Sequence, residues 1–172
     1  YARVKAVTRA GVGLASNVSE GLVAYGEPGA PSITSVQSGT RSGPYIQVRW
    51  AAPDDPGDDG LAGLSASFYV IEVSAFANFS SLIQGGSATI ANTQTAVLRA
   101  GGLSIGDTFY VRVQAVHDVL GFNLTGNYSA SLSVRIVGPP SAPVSVNLTV
   151  VAPLTLAVNW TAPVDTGIGV GQ

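Results

Sequence analysis

The chain has 172 residues, 46% of them hydrophobic and only 10% charged, with a formal net charge of -2. Eight basic against ten acidic residues leave no footprint for nucleic acid; the absence of cysteine excludes disulfides and thiolate chemistry, and a single histidine excludes a His-based metal site. No apolar run reaches the ~18 residues of a membrane span, and so few charges leave much apolar surface to be solvated by other means.

The chain opens at Tyr1 rather than Met, without a signal peptide, and reads as an excerpt of a longer polypeptide. Tyr1–Val7 alternates with period two and predicts a strand, and Gly11-Val-Gly13 a turn. No helix follows those glycines, so they do not form a phosphate cradle. Gly26-Glu-Pro-Gly-Ala-Pro31 predicts a stiff, short linker, because proline lacks an N–H and restricts the residue before it. Ile33 and Val36 then predict one strand, and Ile46-Gln-Val-Arg-Trp50 a second with an inward tryptophan.

The next loop carries four carboxylates, Asp54, Asp55, Asp58 and Asp59. Calcium takes 6–8 oxygens, and the spacing and the missing bidentate Glu do not fit a helix–loop–helix site, so the loop reads as a solvated turn and no metal site is expected. Tyr69–Val73 predicts a strand, and Leu103–Phe109 a turn leading into Val111, Val113 and Ala115. Outward Glu72 and Arg112 are expected to pair across neighbouring strands. His117, beside Asp118, reads as a surface-loop residue; no Gly-x-Ser-x-Gly elbow accompanies it, and no catalytic residue is expected. Gly138-Pro-Pro-Ser-Ala-Pro143 predicts a second linker, and Leu148–Val158 is apolar almost throughout. No stretch repeats apolar residues at i, i+3, i+4 and i+7 over three turns. Alternation with regular turn signals predicts an all-β sandwich.

The sequence also repeats itself. Tyr1–Val7 lies over Tyr110–Val116 at an offset of 109, Val48–Pro53 over Val158–Pro163 at an offset of 110, and Ala30-Pro31 over Ala142-Pro143 at an offset of 112. Three landmarks with nearly one offset predict tandem modules. Residues 1–27 end one module, 28–138 form a complete one, and 139–172 begin a third. Neither flanking piece could bury a core alone, so the polypeptide is expected to continue at both ends.

These landmarks resemble the fibronectin type III family. Trp50 on its strand, Ala52-Pro53 with the following acids and Gly57, Tyr69–Val73, and Leu103-Ser-Ile-Gly-Asp-Thr-Phe109 carry the resemblance across the middle module, and both flanking pieces fit. It implies an immunoglobulin-like, seven-stranded β-sandwich. Residues 1–27 would supply strands F and G of a preceding module, and 139–172 strands A and B of a following one. The sequence departs from the family pattern at Ile105, where proline is usual, and at Phe109, where the family has a corner tyrosine. Phe109 rather than Tyr110 is expected to face the core, because a slip of one residue would turn every side chain to the wrong face.

The asparagines carry the functional signal. Six of seven lie in Asn-x-Ser/Thr: Asn17, Asn78, Asn123, Asn127, Asn147 and Asn159. With 30 Ser and Thr in the chain, chance would supply about one such motif. Asn17 and Asn127 are 110 apart, at equivalent places in two modules. The bland alternative is that these residues are common in β-loops. N-linked glycans would cover the apolar exterior and blunt edge pairing. Asn159 neighbours the inward Trp160 and should hold its sugar on the outer sheet face.

The sequence therefore predicts a non-enzymatic structural module of a secreted, N-glycosylated tandem-repeat protein, extracellular or at the cell surface, that builds a fibre or appendage. Expected partners are neighbouring copies of the same protein or module, with covalent N-glycans and no other cofactor. One alternative is an adhesion or receptor ectodomain binding a protein or sugar ligand through Arg41, Tyr45, His117 and Phe122 in loops 37–45 and 117–126. Another is a spacer beside a carbohydrate-active enzyme domain.

Overall fold

The computed structural model describes the whole chain except residues 22–24, 58–65, 92, 120, 165 and 168–172. The described residues form β-strands and connecting loops, with no helix. An N-terminal hairpin, β1 (Lys5–Thr8) and β2 (Gly11–Ala15), is followed by a sandwich and then by a C-terminal hairpin. The sandwich runs β3 (Ser32–Gly39), β4 (Tyr45–Ala51), β5 (Phe68–Ser74), β6 (Ser87–Ala91), β7 (Thr95–Leu98), β8 (Thr108–Val119), β9 (Phe122–Tyr128) and β10 (Leu132–Arg135). The last hairpin is β11 (Val144–Ala152) with β12 (Thr155–Thr161).

One sheet of the sandwich has the order β3-β4-β7, and the other β10-β8-β5-β6. All pairings are antiparallel. β9 also pairs with β8, beyond the stretch that β10 occupies, so β9 and β10 act as one interrupted strand. Counted so, the sandwich has seven strands and the expected immunoglobulin-like, fibronectin type III-like architecture.

Period-two alternation builds the core. Ile46, Val48 and Trp50 face inward from β4, Tyr69, Ile71 and Val73 from β5, and Phe109, Val111, Val113 and Ala115 from β8. The Trp50 and Tyr69 rings meet edge-on across the sheets at 5.3 Å, a favoured aromatic geometry. Phe109 is 2% exposed and is the inward residue at the corner. At roughly 25 cal/mol per Å² of apolar area, this packing holds a sandwich together without disulfides.

The C-terminal hairpin copies the register of β3–β4. Leu148 lies opposite Val158 as Val36 lies opposite Val48, and Val144 opposite Thr161 as Ser32 opposite Ala51. Both pairs carry an irregularity at the equivalent place, between Ile33 and Ser35 and between Val144 and Asn147, and β11–β12 has a second, between Val150 and Ala152, that β3–β4 lacks. The N-terminal hairpin is different. Val7 lies opposite Val12, whereas its counterpart Val116 lies opposite Thr125. Exposure does not separate the two hairpins, because β1–β2 and β11–β12 are both exposed along nearly their whole length.

Candidate functional site

The six asparagines of the Asn-x-Ser/Thr motifs all lie exposed. Asn17 follows β2, Asn78 is in the β5–β6 connection, Asn123 and Asn127 are on β9, Asn147 is on β11 and Asn159 on β12. Asn147 and Asn159 are direct cross-strand partners. Alternation puts both on the face opposite Leu148, Val158 and Trp160, together with their motif threonines, Thr149 and Thr161. The C-terminal hairpin is thus two-sided, with a hydroxyl- and amide-rich outer face and an apolar inner one. Only the outward position of Asn159 was legible in the sequence; its pairing with Asn147 depends on register.

Two of these motifs also serve the backbone. The Asn78 side-chain oxygen accepts the Ser80 N–H at 3.1 Å, closing a turn in which Phe79 has φ 54°. The buried Ser129 hydroxyl accepts the Val113 N–H at 3.0 Å and donates to the Ala130 carbonyl at 2.9 Å.

Asn78 and Asn127 flank a charged cluster on the outer face of the four-stranded sheet. Glu72 lies opposite Arg112, as expected, and Arg112 Nη2 and Nε donate to Glu72 Oε2 at 2.6 and 2.8 Å. The guanidinium sits against two rings, 4.2 Å from the Phe79 centroid and 3.7 Å from that of Tyr128. Phe79 and Tyr128 are the middle residues of the Asn78 and Asn127 motifs. Burial holds the Tyr128 hydroxyl above its ordinary pKa, helped by the Glu72 hydrogen bond and charge and opposed by Arg112. The cluster pins β5, β8, β9 and the turn at Phe79 together; its charges are paired, and it offers no free nucleophile.

The remaining candidates for chemistry have structural duties. His117 is not a surface-loop residue. It is 5% exposed, its Nδ1 lies 3.2 Å from the Pro56 carbonyl oxygen, and its ring stands 5.6 Å from that of Tyr25. The reason is that β8 runs on to Val119 by pairing with β9, so His117 sits within a strand, opposite Leu124, and not in a free loop. Asp118 takes the Gly121 N–H at 3.0 Å to cap that turn, and it forms no dyad with His117. In the acidic loop, Asp55 Oδ1 accepts the Gly57 N–H at 2.8 Å; Asp58 and Asp59 lie outside the described residues. Arg99 Nη1 donates to the carbonyls of Arg41, Ser42 and Gly43 at 3.1 to 3.3 Å and its guanidinium lies over Tyr45, a role the sequence did not signal. A shallow depression lined by Thr34, Arg49, Trp50, Thr93, Gln94 and Thr95 presents hydroxyl and amide groups without a carboxylate or a histidine.

The loop residues of the ligand-binding alternative do not converge. Tyr45 pairs with Gly39 at one end of the sandwich. His117 reaches Pro56, in the loop that leaves the opposite end of β4.

No family model matches the chain, and no curated protein matches it. Among solved structures, the chain is similar to the crystal structure of chicken CNTN1 FN1-FN3 domains, with 18% identity, a TM-score of 0.47, and coverage of 92% of this chain and 50% of that chain. The chain therefore spans about half the length of that structure.

Proposed function

We propose that the chain is a segment of a secreted, N-glycosylated array of fibronectin type III-like modules that builds an extracellular fibre or a cell-surface appendage. The observation that carries this reading is the exposure of all six acceptor asparagines on a chain with only 10% charged residues. Glycans at these positions would hydrate the outer sheet faces in place of lysine and glutamate. The segment is non-catalytic. Residues 1–27 and 139–172 belong to neighbouring modules, whose remaining strands cover the inner faces of the two hairpins. Contacts between copies are heterologous and generate an open filament.

The adhesion or receptor alternative needs a cluster of ligand-contacting side chains at one pole. The separation of Arg41 and Tyr45 from His117 and Phe122 weighs against it. Negative-stain imaging of native material before and after glycosidase treatment tests the proposal. Long uniform filaments that lose solubility or order on sugar removal are expected. Dispersed flexible strings that bind a defined receptor would overturn it.

A further inference from the structure

The two linkers are held by the same atom pair. Gly26 N–H donates to the Gly57 carbonyl at 2.7 Å, and Gly138 N–H to the Gly167 carbonyl at 2.6 Å. Gly57 and Gly167 occupy equivalent places in successive modules, each in the loop that follows a Trp-x-Ala-Pro strand end, Trp50–Pro53 and Trp160–Pro163. Their φ values are 91° and 89°. A Cβ on Gly57 would overlap the Gly26 carbonyl oxygen and come within 3.1 Å of Pro28 N. A Cβ on Gly167 would overlap the Gly138 carbonyl oxygen and come within 3.2 Å of Pro140 N. Left-handed φ and lack of clearance both require glycine, twice, at equivalent places.

Each junction adds its own contacts. At the first, Gly29 N–H donates to the Asp55 carbonyl at 2.8 Å, and Pro28 is buried. Gly126 of β9 approaches so closely that a Cβ there would overlap the Pro28 carbonyl oxygen. At the second, Ile136 is fully buried in the sandwich core and donates its N–H to the Asp107 carbonyl at 2.9 Å. Gly138, two residues later, is already bonded to the loop that follows β12. Val137 alone stands between, and its N–H donates to Ser38 Oγ at 3.3 Å.

We propose that the loop after each Trp-x-Ala-Pro strand is a docking site for the linker preceding its own module, and that this glycine clasp makes the junctions stiff and gives the array a fixed step. The inference rests on the tandem-module reading above, but not on its glycans. The test uses the 172-residue chain made in a bacterial host without sugar, so its outcome is independent of glycan occupancy. Amide hydrogen exchange and ¹⁵N relaxation are measured by NMR for the unsubstituted chain and for Gly57→Ala, Gly167→Ala and Gly121→Ala. Gly121 has φ 87° with nothing within 4 Å of an added methyl, so its substitution carries the backbone cost without touching a clasp.

In the unsubstituted chain, the Gly26 and Gly138 amides should exchange at least ~10-fold more slowly than open-loop amides, and Val137 should show core-like relaxation. Gly57→Ala should return Gly26 to the open-loop rate and leave Gly138 protected; Gly167→Ala should do the reverse; Gly121→Ala should release neither. Open-loop exchange of Gly26 and Gly138 in the unsubstituted chain would overturn the proposal, as would their release by Gly121→Ala. If Gly57→Ala unfolds the sandwich, as Trp50 emission would reveal, the unsubstituted chain and the Gly167→Ala arm still decide.

Discussion

Strands β4 and β12 carry the same pattern to opposite ends. Each places an aliphatic, an aliphatic and a tryptophan at alternate positions, each closes on a Trp-x-Ala-Pro sequence, and the pairing of Val36, Gln37 and Ser38 with β4 is repeated by Leu148, Thr149 and Val150 with β12. Yet Ile46, Val48 and Trp50 are 0%, 0% and 3% exposed, while Leu156, Val158 and Trp160 are 62%, 48% and 63% exposed. The difference is the second sheet. Tyr69, Ile71, Phe109 and Val111 cover β4, and no described element covers β12. Alternation encodes a face; a facing sheet makes it a core. The register of β11–β12 survives without that sheet, whereas β1–β2 departs from its counterpart.

The largest effect that can break this comparison is at the two tryptophans. Trp50→Ala should destabilise the sandwich by about 3–5 kcal/mol in denaturant titrations followed by circular dichroism. Trp160→Ala in the same chain should fall within about 0.5 kcal/mol. Equal losses would mean that β12 is already covered. A smaller effect separates structure from modification at one motif. Ser129→Ala leaves the buried Val113 N–H without its acceptor and should cost about 1–3 kcal/mol, while Asn127→Gln, which abolishes the same acceptor motif, should cost almost nothing in sugar-free protein.

Next comes the outer face of the sandwich, which has a charged rivet that the hairpins lack. Arg112→Gln removes the Glu72 pair and both ring contacts and should cost about 1 kcal/mol by the same titration. The smallest expected effect is on pH dependence. The folded-state pKa of Tyr128 is raised above the ordinary 10.0, so the folded chain holds this proton more tightly than the unfolded chain. Its contribution is fully present below pH 10.0 and is lost as pH rises through the folded value. Tyr128→Phe should therefore flatten the alkaline decline of melting temperature, and an unchanged slope would contradict the raised pKa that burial, with help from Glu72, gives this hydroxyl.

Much of the sandwich was legible in the sequence. The inward choice of Phe109 over Tyr110 followed from the alternation of Val111, Val113 and Ala115, and the Glu72–Arg112 pair followed from neighbouring outward positions. Local pattern could not give the length of β8, because its last residues are strand only through pairing with β9; hence His117 read as a loop residue. The ring sandwich around Arg112 was hidden for a similar reason, since Phe79 reaches the guanidinium from a left-handed turn. The acceptor motifs were plain in the sequence, but the opposition of Asn147 and Asn159 required register. The glycine clasps were present as an equivalent pair at Gly57 and Gly167, yet only backbone proximity shows what those residues touch.

Sugar in place of ionised side chains is what the whole reading stands on, and mass spectrometry of native material reaches it directly. Enzymatic release of N-glycans in heavy-oxygen water marks each formerly occupied asparagine as a labelled aspartate. Label at three or more of Asn17, Asn78, Asn123, Asn127, Asn147 and Asn159 is the predicted result. Unmodified asparagine at all six would contradict it and leave the apolar exterior unexplained.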